Sequence, residues 1–178
     1  ILYLHIPVQY HTLNDKMYWD ELYEQEEKSC WELCCPENVG RWSAVGYYFA
    51  RKLAAQLDVP VGIIGCNWGG TSASCWMSRE ALENDKVISS YVEEYDAIVA
   101  EQDFDAYCKE REEYIVYQAE FDKNCKHYYE TTPNPTWEGA LEVCGENKYP
   151  GPMGPRSEYR PAGLYETMIQ RIAPYTLA

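Results

Sequence analysis

The sequence predicts an α/β fold, and two adjacent segments carry the prediction. Residues 43–57 repeat apolar side chains at helical spacing, at Val45, Tyr48 or Phe49, Leu53, Ala54 and Leu57. After a break at "DVP", residues 61–68 ("VGIIGCNW") form a continuous apolar run. Continuous apolarity is typical of a strand that is covered on both faces in a parallel sheet. A helix that leads by a short loop into such a strand is half of a βαβ unit.

The predicted helix, residues 42–58 ("WSAVGYYFARKLAAQLD"), carries its own start signal. Ser43 precedes the apolar repeat, and its hydroxyl oxygen can accept a hydrogen bond from a free amide of the first turn. Gly46 lies inside the helix, where glycine costs about 1 kcal/mol relative to alanine. We therefore expect a tight contact with a neighbouring element at Gly46.

Both ends of the sequence have the character of regular structure. The opening "ILYLHI" alternates, with Leu2, Leu4 and Ile6 on one face, and this predicts a strand. Residues 162–172 ("AGLYETMIQRI") predict a closing helix, and the polar residues 14–30 predict a loop or a short helix. Because the chain opens inside a strand without an initiator Met, we expect it to be a segment of a longer protein.

The middle of the chain divides into a helical part and an irregular part. Residues 78–130 contain no Gly and no Pro and have charges at helical spacing, with a break near Asp103. This pattern predicts an inserted, acidic antiparallel helical hairpin with a solvated face. Residues 131–163 contain six prolines and five glycines and predict a long loop, which would be a lid or a disordered segment.

The charge balance disfavours two classes of partner. Fifteen basic and 29 acidic residues give a formal charge of −14, which would repel nucleic acid and anionic membranes. No apolar run approaches the ~18 residues of a membrane span, and the first residues show no signal-peptide pattern. The 17 tyrosines and six tryptophans can be core residues or can form a platform for sugar rings.

The eight cysteines leave the cellular compartment open. An even number would suit disulfides in a secreted protein, but a chain of this length does not need them. Scattered reduced thiols favour the cytoplasm, with a secreted or lysosomal location as the alternative. "CWELCC" lacks a Cys-x-x-Cys pair or a His at zinc-ligand spacing, so no metal is expected.

The strand over 61–68 leads into a turn with few side chains, "NWGGTS" (67–72). In parallel α/β sheets, ligands bind beyond the carboxyl ends of the strands. Two adjacent glycines allow backbone amides to point into a cleft, where they can bind a phosphate or the oxyanion of an acyl-transfer intermediate. Neither the P-loop nor the dinucleotide fingerprint occurs, so phosphate binding is disfavoured and a plain tight turn remains the alternative.

Two blocks of the sequence resemble one enzyme family. "WSAVGYYFARKLAAQLDVPVGIIGCNWGGTSASCWMS" (42–78) and "RPAGLYETMIQRIAPYTLA" (160–178) are similar to sialate O-acetylesterases and related carbohydrate acetylesterases of the SGNH-hydrolase superfamily. The resemblance implies a flavodoxin-like parallel sheet, with the acidic hairpin as an insertion. It also implies an acetylated carbohydrate as substrate, no cofactor, and a Ser–His–Asp type site that removes O-acetyl groups.

The resemblance assigns roles to residues of the turn. Gly69 or Gly70 would supply oxyanion-hole backbone, while Asn67 and Thr71 would shape the turn. Trp68 and Trp76 would be walls of the substrate cleft, with packing in the core as the alternative for each.

The catalytic residues of the family do not have matches in these 178 residues. Its "GQSNM" nucleophile motif and its "Asp-x-x-His-Pro" motif are both missing. The three histidines, His5, His11 and His127, do not fit the motif, and the serines 72 and 74 lack a G-x-S-x-G elbow. We expect half an oxyanion hole here, with the remaining strands and the triad in flanking segments of the same protein or in a second chain. The alternative is a non-catalytic carbohydrate-binding module or an inactive fragment of the same scaffold.

Overall fold

The computed structural model describes residues 1–6 and 29–174, which include a small mixed β-sheet. Its strands are β1 (Leu2–His5), β2 (Glu32–Leu33) and β3 (Gly62–Gly65), in the order β2-β1-β3. β1 runs parallel to β3, with Tyr3 opposite Ile63, and antiparallel to β2. Strands were predicted at the positions of β1 and β3 but not at β2, since two residues are too few to show a periodicity. The flavodoxin-like architecture stays a prediction.

Helices make up most of the remaining described chain. They are α1 (Pro36–Val39), α2 (Ala44–Leu57), a 3₁₀ turn (Ala73–Trp76), α3 (Arg79–Glu83), α4 (Ser89–Ala100), α5 (Phe104–Thr131), α6 (Trp137–Cys144), a π-helical turn (Tyr165–Ile169) and α7 (Gln170–Ile172). In the part of the chain that the structure describes, no helix is both long and apolar enough to span a bilayer.

The helix predicted over 42–58 is confirmed as α2 (Ala44–Leu57), but a different face of it packs. The Ser43 hydroxyl accepts a hydrogen bond from the Gly46 amide at 3.2 Å, as the cap predicts. A Cβ on Gly46 would lie 3.5 Å from the Ile63 side chain, so the helix rests on β3 through its small residues. Ala50 is 1% exposed, whereas Val45 and Phe49 of the predicted stripe are 83% and 66% exposed. The predicted packing stripe is therefore not the face that contacts the described core.

Three buried clusters connect the helices. The first contains Cys75, Leu164 and Met168, the second Leu82, Val92 and Ala162, and the third Phe121, Cys125 and Ala140. The break predicted near Asp103 is confirmed, because the Asp103 carboxylate caps α5 by accepting from the Ala106 amide at 2.9 Å. The second cluster joins α3 to α4 and the third joins α5 to α6, while the antiparallel hairpin of α4 and α5 stays a prediction.

The irregular segment 145–164 lies against the first half of α5. The Gln102 side chain donates to the Met153 carbonyl at 2.9 Å, and the Tyr107 hydroxyl accepts from the Arg156 amide at 3.1 Å. Residues in the second half of this segment are buried, among them Arg156, Ser157, Glu158 and Arg160. The segment predicted as a loop over 131–163 contains α6 and then an irregular stretch whose second half is buried, and its role as a lid stays a prediction.

Cys125, in the third cluster, is expected to be an unreactive thiol. Burial and the neighbouring Cys144 thiol raise the pKa of Cys125 to about 11. At pH 8 only about one such thiol in a thousand is ionised, and the thiolate is the reactive form. We expect iodoacetamide at pH 8 to alkylate the exposed Cys30 and Cys34 well before Cys125, as measured by peptide mass spectrometry. Equal labelling rates for Cys125 and Cys30 in the native protein would contradict this.

The raised pKa of Cys125 also makes the free energy of unfolding depend on pH. An unfolded thiol ionises near pH 8.5, so above that pH the native state holds more protons on Cys125 than the unfolded state does. The contribution of this group to the free energy of unfolding is complete below about pH 8.5 and falls as the pH rises towards about 11. Denaturant titrations at pH 7 and pH 10 measure how much the free energy of unfolding falls between these pH values. In the Cys125→Ala variant, the part of this fall that is due to the Cys125 thiol should be absent.

Candidate functional site

The turn after β3 is fixed by its own side chains. Thr71 Oγ1 donates to the Trp68 carbonyl at 2.9 Å and accepts from the indole Nε1 of Trp76 at 2.8 Å. Gly70 has φ of +77°, a conformation that glycine adopts without strain. Asn67 is exposed at the start of the turn. The turn conformation is therefore set before any ligand arrives.

The two glycines leave backbone amides available. No described residue accepts a hydrogen bond from the N–H group of Gly69 or Gly70. A Cβ on Gly69 would meet no atom within 4 Å, so the space beside it is open. The Gly70 carbonyl, in contrast, accepts from the Tyr149 hydroxyl at 2.9 Å. The turn is thus held to the irregular segment through a carbonyl, and its two amides remain free to bind an anion or an oxyanion.

A cleft of about 450 Å³ opens beside the turn, and we call it the turn cleft. Three elements form its walls: the turn, one face of α5 and the irregular segment. Its lining includes Trp68, Tyr114, Gln118, Asp122, Tyr149 and Tyr159. Its volume falls within the range of about 300–1,000 Å³ that is usual for small-molecule sites.

Aromatic rings stand at fixed angles in the turn cleft. The rings of Tyr149 and Tyr159 meet edge to face, with centroids 5.0 Å apart and an interplanar angle of 78°. The Trp68 indole makes a long hydrogen bond of 3.5 Å to the Tyr159 hydroxyl. Burial raises the pKa of Tyr159 to about 12, so this phenol is neutral throughout the physiological range. The cleft therefore offers ring faces together with hydroxyl groups.

A buried ion pair lies at the base of the turn cleft. Arg111 Nη2 of α5 is 3.0 Å from Glu158 Oε2 of the irregular segment, and both side chains are almost fully buried. The pair joins two walls of the cleft at one point. Removing either partner would leave a charge without compensation in a poorly solvated environment.

The structure brings together some of the predicted site residues and separates others. Asn67, Trp68, Gly69, Gly70 and Thr71 share the turn, and Trp68 also lines the cleft. Trp76 packs against the first buried cluster, on Leu164 and Met168, and its indole is used to fix Thr71. Packing is thus the observed role of Trp76, and the turn cleft is lined by other residues.

The candidate serines that the structure describes lie on a different element from the candidate histidines. The hydroxyl of Ser72 caps the 3₁₀ turn, accepting from the Ser74 amide at 3.3 Å. His5 is exposed at the end of β1 and His127 is exposed on α5, while His11 lies outside the described residues. In residues 1–6 and 29–174, no serine hydroxyl is hydrogen-bonded to an imidazole.

Three tyrosines of the turn cleft were missed by sequence reasoning. Tyr114 comes from α5, and Tyr149 and Tyr159 come from a segment that was predicted to be a loop. The high tyrosine content was a signal for a sugar platform, but it does not show which of 17 tyrosines converge. The described residues contain no group of three or more His, Cys, Asp or Glu side chains that could hold a metal ion.

Comparison with known proteins supports the resemblance seen in the sequence. A sialate O-acetylesterase of Rattus norvegicus is 41% identical over 46 residues, which cover 26% of this chain and 8% of that protein. The sialate O-acetylesterases of Homo sapiens and Pongo abelii are each 36% identical over 58 residues, covering 30% of this chain and 11% of theirs. The match is thus real but partial, and it spans about a tenth of the relatives' length.

Two further comparisons gave no match. No protein-family model matches the chain. No solved structure is significantly similar to it. The partial match to sialate O-acetylesterases is therefore the similarity that points to function, and the names of these relatives indicate a carbohydrate esterase.

Proposed function

We propose that this protein is a carbohydrate esterase that removes O-acetyl groups from sugars through a serine nucleophile outside these 178 residues. The observation that carries the proposal is the glycine turn at the carboxyl end of β3. There, two uncommitted amides lie beside an aromatic cleft. The partial match to sialate O-acetylesterases supplies the reaction class.

In this proposal the turn binds the oxyanion. When the serine attacks the acetyl carbonyl, negative charge develops on the carbonyl oxygen, and amide donors at about 2.7–3.1 Å stabilise it. Gly69 and Gly70 would supply those donors. The Thr71 hydroxyl and the Tyr149–Gly70 hydrogen bond hold the turn in place, so the amides need little reorganisation as the charge forms.

A serine-directed fluorophosphonate tests the nucleophile and the reaction together. We expect the intact protein to be labelled at one serine outside residues 1–178 and to release acetate from O-acetylated sugars. Labelling at Ser72 or Ser74 would place the nucleophile inside this sequence and contradict that part of the proposal. If the intact protein is not labelled and releases no acetate, the esterase function is contradicted.

A non-catalytic sugar-binding module is the second candidate. It is favoured by the finding that no serine–imidazole hydrogen bond exists among the described residues. Binding of acetylated sugars by the intact protein without acetate release would select this candidate. Acetate release that is lost after fluorophosphonate treatment would exclude it.

A further inference from the structure

We infer that the turn cleft is the sugar-binding subsite of this protein and that it selects a neutral acetylated sugar over an acidic one. The inference rests on the proposed function for its ligand class, and it adds the location of the sugar and the sign of charge that is tolerated. It follows from three properties of the cleft: its rings, its charge and its position beside the glycine turn.

The rings of the turn cleft provide the apolar contacts that a sugar needs. Trp68 and Tyr149 are 39% and 45% exposed, so their ring surfaces are accessible although other atoms of both side chains make hydrogen bonds. Such amphipathic rings pair an apolar face with a polar edge, which suits a molecule that has C–H faces and hydroxyl edges. The Tyr149–Tyr159 angle of 78° presents two walls of a corner.

Polar groups for sugar hydroxyls lie on the α5 side. Asp122 Oδ1 accepts a hydrogen bond from Gln118 Nε2 at 2.9 Å, and both side chains line the cleft. A carboxylate has more acceptor sites than this one bond uses, so Asp122 can also accept from a hydroxyl group. Asn147 adds an amide at the opposite wall.

The charges of the lining disfavour an anionic ligand. Arg111 is the one cation among the described lining residues, and its charge is compensated at 3.0 Å by buried Glu158. Asp122 is then the exposed charge of the cleft, and it is negative. Lys148 places its ammonium 4.2 Å from the Tyr117 ring centroid and lines a neighbouring depression together with Glu110 and Glu113. A carboxylated sugar would meet repulsion from Asp122, and the net charge of −14 adds to it.

The position of the cleft connects sugar binding to the proposed reaction. Tyr149 lines the cleft, and its hydroxyl donates to the Gly70 carbonyl at 2.9 Å. A sugar ring on the Trp68 and Tyr149 surfaces therefore lies next to the turn whose amides are uncommitted. In this proposal an acetyl ester at the edge of that ring is the group presented to the amides, while the ring itself stays in the cleft.

The test is a binding titration with analogues that cannot be hydrolysed. The intact protein is titrated by ligand-observed NMR with methyl 6-acetamido-6-deoxy-glucopyranoside, a neutral probe, and with the 9-acetamido-9-deoxy analogue of N-acetylneuraminic acid, an acidic probe. We expect the neutral probe to bind about tenfold more tightly. Asp122→Asn, which keeps an acceptor for Gln118, should reduce the difference to about threefold or less by improving binding of the acidic probe.

Variants of the rings locate the site. Trp68→Ala should weaken binding of the neutral probe about tenfold, because a ring surface is lost. Tyr91→Ala is the matched control, since Tyr91 is an exposed aromatic residue of α4 that does not line the cleft, and binding should not change. Tighter binding of the acidic probe overturns the charge preference. Unchanged binding in Trp68→Ala overturns the subsite.

Acetate release separates this inference from the proposed function. If the intact protein releases acetate but Trp68→Ala leaves both probe binding and KM unchanged, the subsite is wrong and the esterase function stands. If the neutral probe binds in a Trp68-dependent way without any acetate release from the corresponding ester, the subsite stands and the esterase function is wrong.

Discussion

Replacing Arg111 by Ala is expected to lower the free energy of unfolding by about 3–5 kcal/mol. The Arg111–Glu158 pair is almost fully buried, and its 3.0 Å contact joins α5 to the irregular segment. Without the guanidinium, the Glu158 carboxylate would be left in a poorly solvated position. Urea denaturation followed by circular dichroism measures the change.

An exposed ion pair on the same protein is the control. Arg79 pairs with Glu83 and Asp96, and all three side chains are about half exposed. Because solvent screens such pairs, Arg79→Ala should cost less than about 1 kcal/mol.

Replacing both buried partners, with Arg111→Met and Glu158→Leu together, should be less destabilising than Arg111→Ala alone, since the Arg111–Glu158 pair is then removed as a whole. A loss in Arg111→Ala no larger than that in Arg79→Ala would contradict the expected role of burial.

Replacing Gly69 by Pro is expected to lower kcat for acetate release by about 10²–10³-fold if the turn binds the oxyanion. Proline removes the Gly69 N–H group, which has no acceptor in the described part of the chain. Gly69→Ala is the matched variant, because it keeps the N–H group and its Cβ would meet no atom within 4 Å. We expect Gly69→Ala to keep most of the activity.

Steady-state kinetics of acetate release, with circular dichroism to check folding, distinguish the outcomes. A large fall in kcat for Gly69→Pro with little change in Gly69→Ala supports an amide donor. Wild-type kcat in a folded Gly69→Pro variant would exclude the Gly69 amide as an oxyanion donor. Proline also restricts the preceding Trp68 backbone, so KM for a neutral acetylated sugar reports whether the cleft has been disturbed.

Local signals in the sequence determined several elements of this protein. The Ser43 cap and the helical repeat predicted α2, and the break near Asp103 predicted that one helix ends and another begins there. The β-favouring run after Pro60 predicted β3, and the paired glycines located the turn. Each of these features depends on residues that are close in the chain, such as a hydroxyl three residues from the amide that it caps. For that reason they can be read without knowledge of the packing.

Only the tertiary structure decided which surfaces meet. The turn cleft combines Trp68, Tyr114, Tyr149 and Tyr159 from segments far apart in the chain, and nothing local selects these rings. α2 packs through Gly46 and Ala50 rather than through its larger apolar side chains, since small residues let the helix approach β3.

The irregular segment 145–164 shows the same dependence on packing. Its prolines and glycines predicted a long irregular loop, and its second half is buried where long-range polar contacts, above all Arg111–Glu158, supply partners. A backbone without regular hydrogen bonds can be buried only where other elements supply partners for its polar groups. The sequence contained those partners, but the fold determined that they would meet.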